Sequence, residues 1–216
     1  MKTDSQLQYD VAEELEWEPA VQHEHIGVSA QNGVVTLTGF VKSYPEKLAA
    51  EKAARRVAGV RGLAEELQVR FASTPQTDDA SIAERVLIMF NHDITVPENH
   101  IQVQVEKGWV KLSGKVDWHY QREAAKRIAG HVSGVVGVTN LIEVRNVPTP
   151  RDVKDRIVAA FKRSADIEAS GISVTTDGGT VKLTGKVPSF KDRHLAEAAA
   201  WAAPGVFKID DRLTVA

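Results

Sequence analysis

Gly33-Val34-Val35-Thr36-Leu37-Thr38-Gly39, Gly108-Trp109-Val110-Lys111-Leu112-Ser113-Gly114 and Gly179-Thr180-Val181-Lys182-Leu183-Thr184-Gly185 are one phrase written three times, 75 and 71 residues apart. A period of this size is too long for a solenoid turn and suits a small domain with its own core. The chain is therefore expected to hold three tandem modules, at residues 1–72, 77–147 and 148–216. What recurs is apolar or glycine, so the repeat speaks to architecture more than to chemistry.

Upstream of each phrase, apolar residues fall four apart: Leu7, Val11 and Leu15; Ile82, Val86 and Phe90; Val153, Ile157 and Phe161. That spacing lays each trio on one helical stripe. Asp4 or Ser5, Asp79 or Ser81, and Pro150 before Asp152 are the expected helix starts. Alternating pairs follow, Ile26/Val28, Ile101/Val103 and Ile172/Val174, each running into a glycine-bearing turn. Alternation resumes at Val35/Leu37, Val110/Leu112 and Val181/Leu183, which makes each unit a β-hairpin.

Beyond Val41, Val116 and Val187 a second helical stripe carries small residues, Ala50/Ala53/Val57, Ala125/Ile128/Val132 and Ala196/Ala199/Ala203. Ser43 with Glu46 and Ser189 with Asp192 mark its start as capping boxes. It ends near Gly59-Val60, Gly134-Val135 and Gly205-Val206, and a last strand holds Leu67/Val69, Ile142/Val144 and Leu213/Val215. The fold class is α+β: three α-β-β-α-β modules, each a mixed three-stranded sheet with two helices on one face. A core this small leaves each module marginal alone, so contact between modules is expected to add stability. Proline in the stretches 72–77 and 146–150 is expected to restrict how the modules are oriented.

The helix-strand-strand-helix-strand order, the Gly-x-Val-x-Leu-[Thr/Ser]-Gly-x-Val phrase and the later Gly-Val resemble the BON domain (bacterial OsmY and nodulation). The resemblance spans nearly the whole chain, with Gly39, Gly114 and Gly185 at the family's strand glycine. It implies a non-enzymatic bacterial protein of osmotic or envelope stress. It also implies binding to phospholipid, or potassium sensing as in one relative of the family.

Composition is that of an ordinary globular chain, 43% hydrophobic and 26% charged, without cysteine. Disulfides and thiolate metal sites are thereby excluded. The three modules carry formal charges of about −3, −1 and +2. None is basic enough for a nucleic-acid module, where phosphate contacts supply most of the affinity. No apolar run suits a membrane span or signal peptide, and no lipobox cysteine is present, so a cytoplasmic location is expected.

Few residues suggest chemistry. The recurring glycines lie in strands, whereas a phosphate loop leads into a helix, so Gly39, Gly114 and Gly185 are read as structural, relieving close helix approach or a bulge. His23-Glu24-His25 would point both imidazoles one way on an extended segment, yet no third ligand stands nearby in sequence, and no metal or cofactor is expected. No nucleophile elbow or repeated carboxylate pair appears, and the chain is read as no enzyme.

The clearest break in the repeat is Asp117-Trp118-His119-Tyr120-Gln121-Arg122, where Trp118 replaces a capping serine. An aromatic recurs at the first helical position as Tyr44, His119 and Phe190. Trp118 and Tyr120 beside Arg122, Lys126 and Arg127 form an aromatic and basic patch suited to an anionic membrane surface or a protein partner. The alternative is that Trp118 and Tyr120 pack on a neighbouring module. Acidic residues on the first helix (Glu13, Glu14, Glu16, Glu18) and basic ones on the fifth (Lys154, Arg156, Lys162, Arg163) allow head-to-tail contact between modules or between chains, the latter a self-association.

Overall fold

The structure is a computed structural model that describes residues 2–71, 78–97, 100–146, 152–164 and 171–215. The first module runs α1 (Asp4–Trp17), β1 (Ile26–Gln31), β2 (Val34–Val41), α2 (Tyr44–Arg56) and β3 (Gly62–Val69). The second runs α3 (Asp79–His92), β4 (Ile101–Glu106), β5 (Trp109–Val116), α4 (His119–Gly130) and β6 (Gly137–Val144). The third runs α5 (Val153–Arg163), β7 (Ile172–Asp177), β8 (Thr180–Val187), α6 (Phe190–Trp201) and β9 (Lys208–Val215). The prolines expected to stiffen the linkers, at 75, 148 and 150, lie outside the described residues, as does the expected helix start at Pro150.

Each module closes its own three-stranded sheet, in the orders β1-β2-β3, β4-β5-β6 and β7-β8-β9. The hairpin pair is antiparallel, and the helical crossover returns the last strand parallel to the middle one, as the crossover rule requires. Registers repeat: Val28 faces Leu37, Val103 faces Leu112, and Val174 faces Leu183. Leu37, Leu112 and Leu183 are fully buried beneath the stripes Leu7/Val11/Leu15, Ile82/Val86/Phe90 and Val153/Ile157/Phe161. The three cores are thus separately packed copies of one unit.

The first helices of modules one and two begin at Asp4 and Asp79, as expected, and the capping oxygens stand one residue earlier: Thr3 and Asp78 accept from the backbone N–H of Gln6 (3.2 Å) and Ser81 (2.7 Å). Asp4 and Asp79 reach across to their hairpins. Asp79 accepts from the turn N–H groups of Lys107 (2.7 Å) and Gly108 (2.9 Å), and Asp4 does the same at Asn32 and Gly33. A carboxylate taking two backbone donors ties the first helix to the hairpin it covers.

Among the described residues no salt bridge joins the acidic face of α1 to the basic face of α5. Arg56, from α2 of the same module, holds Glu14 and Glu18 at 2.8 Å each, and Arg156 pairs with Asp152 along its own helix. Contact between modules runs through the second helices. Tyr44 belongs to the core cluster of the second module, Phe190 packs on that of the first, and α2 packs on α6.

Candidate functional site

The aromatic residue that opens each second helix is the joint of the molecule. Tyr44, only 7% exposed, presses on Gly130, where an added Cβ would stand 3.1 Å from the Tyr44 ring. His119 stacks on Trp201, with ring centroids 4.0 Å apart and planes 6° from parallel. The guanidinium of Arg55 lies over Phe190, 5.8 Å from the ring centroid. Gly130, Trp201 and Arg55 sit at the same repeat position near the end of the second helix. Module one therefore docks on two, two on three and three back on one, closing a cycle.

With His119 making the joint, its neighbours stay open. Trp118 is 43% exposed and Tyr120 56%, so each ring keeps a large face in solvent beside the third module. Both line a groove of about 880 Å³ between modules two and three, together with Arg122, Glu123, Glu197 and Trp201. Ser43 and Ser189 cap α2 and α6 by accepting from Glu46 and Asp192 N–H, at 3.2 Å each. At α4 the indole of Trp118 has no acceptor, and only the reverse half of the box survives: Gln121 Oε1 accepts from Asp117 and Trp118 N–H at 3.0 Å. Losing a capping serine weakens that helix start by about 1 kcal/mol and places a large amphipathic ring at the surface.

Three cations gather on α4, Arg122, Lys126 and Arg127, and none forms a salt bridge among the described residues. Arg61, Arg70, Arg85 and Arg163 form none there either, whereas Arg55, Arg56, Arg145, Arg156, Arg193 and Arg212 do. The equivalents of Arg122 show what it lacks. Lys47 lies 3.0 Å from Glu65 Oε2, and Arg193 Nε lies 2.6 Å from Asp211 Oδ2, each pair bridging the second helix to the last strand. The second module has Asn140 at that strand position. Its side-chain amide donates to the Arg122 carbonyl at 2.8 Å, and the Arg122 Nε is left buried without a partner. The exchange is visible in the aligned sequence, but its consequence depends on side-chain reach.

Burial sets the ionisation at this joint. It pushes the His119 imidazole below its usual value, with Arg122 and His194 adding to the effect and Glu123 opposing it. It raises the Glu197 carboxyl across the groove, assisted by Asp211.

Gly39, Gly114 and Gly185 adopt φ of 112°, 134° and 131°. A Cβ at Gly114 would overlap the carbonyl oxygen of His100, just before the paired strand. Of the two expected causes, close helix approach or a bulge, the first does not apply: the close neighbour is the backbone just before the paired strand. His23–His25 is a single 3-10 turn, not an extended segment, and His25 stacks on Phe40 at 4.5 Å. No group of three or more potential metal ligands occurs among the described residues. No described helix is long and apolar enough to cross a membrane.

One surface escaped sequence reasoning. Leu87, Ile88 and Met89 on α3, with Ile94 just beyond it, are exposed. The aligned residues of the first module are Ala12, Glu13, Glu14 and Pro19, and that contrast was the available signal.

Residues 3–70, 78–146 and 151–216 each match the BON domain. The chain is 36% identical over 125 residues to osmotically-inducible protein Y of Escherichia coli (strain K12), an alignment covering 56% of this chain and 62% of that protein. It thus spans somewhat less than two thirds of that relative's length. It is 32% identical over 140 residues to an uncharacterized protein in the gshII 5' region of Anaplasma centrale, covering 61% of this chain and 91% of the relative. Among solved structures, CdsD, a structural protein of the type III secretion system of Chlamydia trachomatis, aligns over 98% of this chain and 92% of its own. The identity there is 15% and the TM-score 0.27, too low to inform the fold. Three matched units, three repeated cores and a shared strand glycine lead to one statement: this chain belongs to the BON domain family.

Proposed function

We propose that the chain is a non-enzymatic binding protein of osmotic or envelope stress whose middle module contacts an anionic phospholipid surface. The observation that carries this is the set of unpaired cations on α4, Arg122, Lys126 and Arg127, beside the half-exposed Trp118 and Tyr120. Aromatic rings with a polar edge suit the boundary between headgroup and hydrocarbon, and each cation near such a surface contributes about 1 kcal/mol. The stress context is carried over from the osmotically-inducible relative. The cytoplasmic address belongs to the same proposal and is checked by subcellular fractionation.

Flotation of the full chain with vesicles tests the reading. Binding to phosphatidylglycerol vesicles and not to neutral ones at low salt, weakened in Trp118→Ala/Tyr120→Ala, is the expected result. Equal binding to both vesicle types removes the lipid reading.

A second reading is self-association, favoured by the exposed row Leu87, Ile88 and Met89. Sedimentation at rising concentration is expected to show a dimer that Met89→Glu abolishes. A mass independent of concentration removes that reading.

A further inference from the structure

We propose that Arg122 is the centre of a binding site for a phosphate group, in a second groove between the second and third modules, distinct from the one that Trp118 and Tyr120 line. This deepens the anionic-surface reading and rests on it only for a lipid source of the phosphate.

The groove has a volume of about 830 Å³ and is lined by Lys115, Arg122, Asn140, Arg145, Asn146 and Lys208, with Glu143 the one carboxylate. Glu143 is engaged by Lys115 at 3.5 Å, and Arg145 lies 3.1 Å from Asp117. Arg122 and Lys208 have no salt-bridge partner among the described residues. With Lys115 and Arg145 each paired to a carboxylate, Arg122 and Lys208 are the two charges that leave the groove positive.

The internal repeat shows how the site arises. In the third module Asp211 accepts from Leu213 N–H through Oδ1 (2.8 Å) and from Arg193 Nε through Oδ2. Asn140 keeps the first bond, accepting from Ile142 N–H at 3.2 Å, and turns its other side-chain atom to the Arg122 backbone. Exchanging one carboxylate oxygen for an amide nitrogen thus frees a guanidinium whose Nε is already out of water. The Nε itself is sealed from the groove, so an oxyanion would meet the two terminal nitrogens of the same guanidinium, a planar pair of donors suited to two parallel bonds. Lys208, from the third module, brings a second unpaired cation to the same groove. A phosphate group has the charge and the several acceptor oxygens to meet donors converging from two modules.

Titration calorimetry of the full chain with inorganic phosphate, against chloride at matched ionic strength, tests the proposal. Saturable phosphate binding is expected, about tenfold or more weaker in Arg122→Gln, the loss of one charged hydrogen-bonding partner. The sharper variant is Asn140→Asp, which rebuilds the Asp211–Arg193 arrangement. It is expected to melt at or above the parent temperature while losing phosphate to the same degree, and Lys47→Gln is expected to bind phosphate as the parent does. Absence of saturable phosphate binding, or unchanged affinity in Asn140→Asp, overturns the proposal. Phosphatidylglycerol flotation with Asn140→Asp then separates the sources, and either result keeps the site. Flotation that falls with phosphate binding identifies a headgroup, and flotation that persists identifies a free phosphorylated solute. If vesicles never bind while phosphate does, the lipid reading alone fails.

Discussion

His119 lies flat on Trp201, an imidazole of the second module against an indole of the third, 4.0 Å apart and nearly parallel. Its counterparts Tyr44 and Phe190 make the other two joints with different chemistry, a phenol on a glycine and a phenyl under a guanidinium. One repeat position therefore serves as a connector three times, and the residue opposite it sets the shape of each joint. The joint with histidine is the one whose entrance keeps Trp118 and Tyr120 at the surface.

Stability should report the His119 joint through pH. Burial holds the folded imidazole below the unfolded value of about 6.5, so the unfolded chain binds the proton more readily. The stability due to neutral His119 is complete above about pH 6.5 and is lost as pH falls toward the depressed folded value. Glu197, raised by burial, acts in the opposite sense, because its protonation favours the folded state. Subtracting the urea-denaturation profile of His119→Phe from that of the parent isolates the histidine. The difference should fall as the solution is acidified, and a flat difference would contradict the assignment.

Tyr44→Ala should destabilise the protein by about 3 kcal/mol, the scale for truncating a buried aromatic ring. The ring belongs to the core cluster of the second module while its backbone belongs to the first. Both modules should therefore lose amide protection in hydrogen exchange. Loss confined to α2 would mean that the ring is not a joint.

Gly114→Val should cost at least about 3 kcal/mol, since it combines a left-handed backbone with overlap onto a neighbouring carbonyl. Urea denaturation of the variant checks this. A melting curve unchanged from the parent would refute the structural role of the recurring glycines.

The fold was legible in the sequence because its evidence is periodic. Leu7, Val11 and Leu15, with their two copies, could lie together only on a helix, and Val35 with Leu37 only on a strand face, and each is buried as expected. Joints are harder to read. Tyr44, His119 and Phe190 are visibly equivalent, yet nothing in a one-dimensional pattern says whether a ring at a helix start covers its own module or the next. The same limit applies to Arg122, whose isolation depends on which oxygen Asn140 lacks and on which way its amide turns. Asp4 and Asp79 open their helices as expected, yet what their carboxylates bind was not legible. The hairpin turn packed within their reach offers each of them two backbone donors.

The cyclic arrangement of the three modules is tested most directly at its closing contact, Phe190 against the first module. Amide NMR spectra of the full chain and of Phe190→Ala should differ at Arg55, which covers the ring, and at Val34 and Arg61, which line the same cleft. Shifts confined to residues of the third module would contradict closure, leaving three cores in a row with an open end.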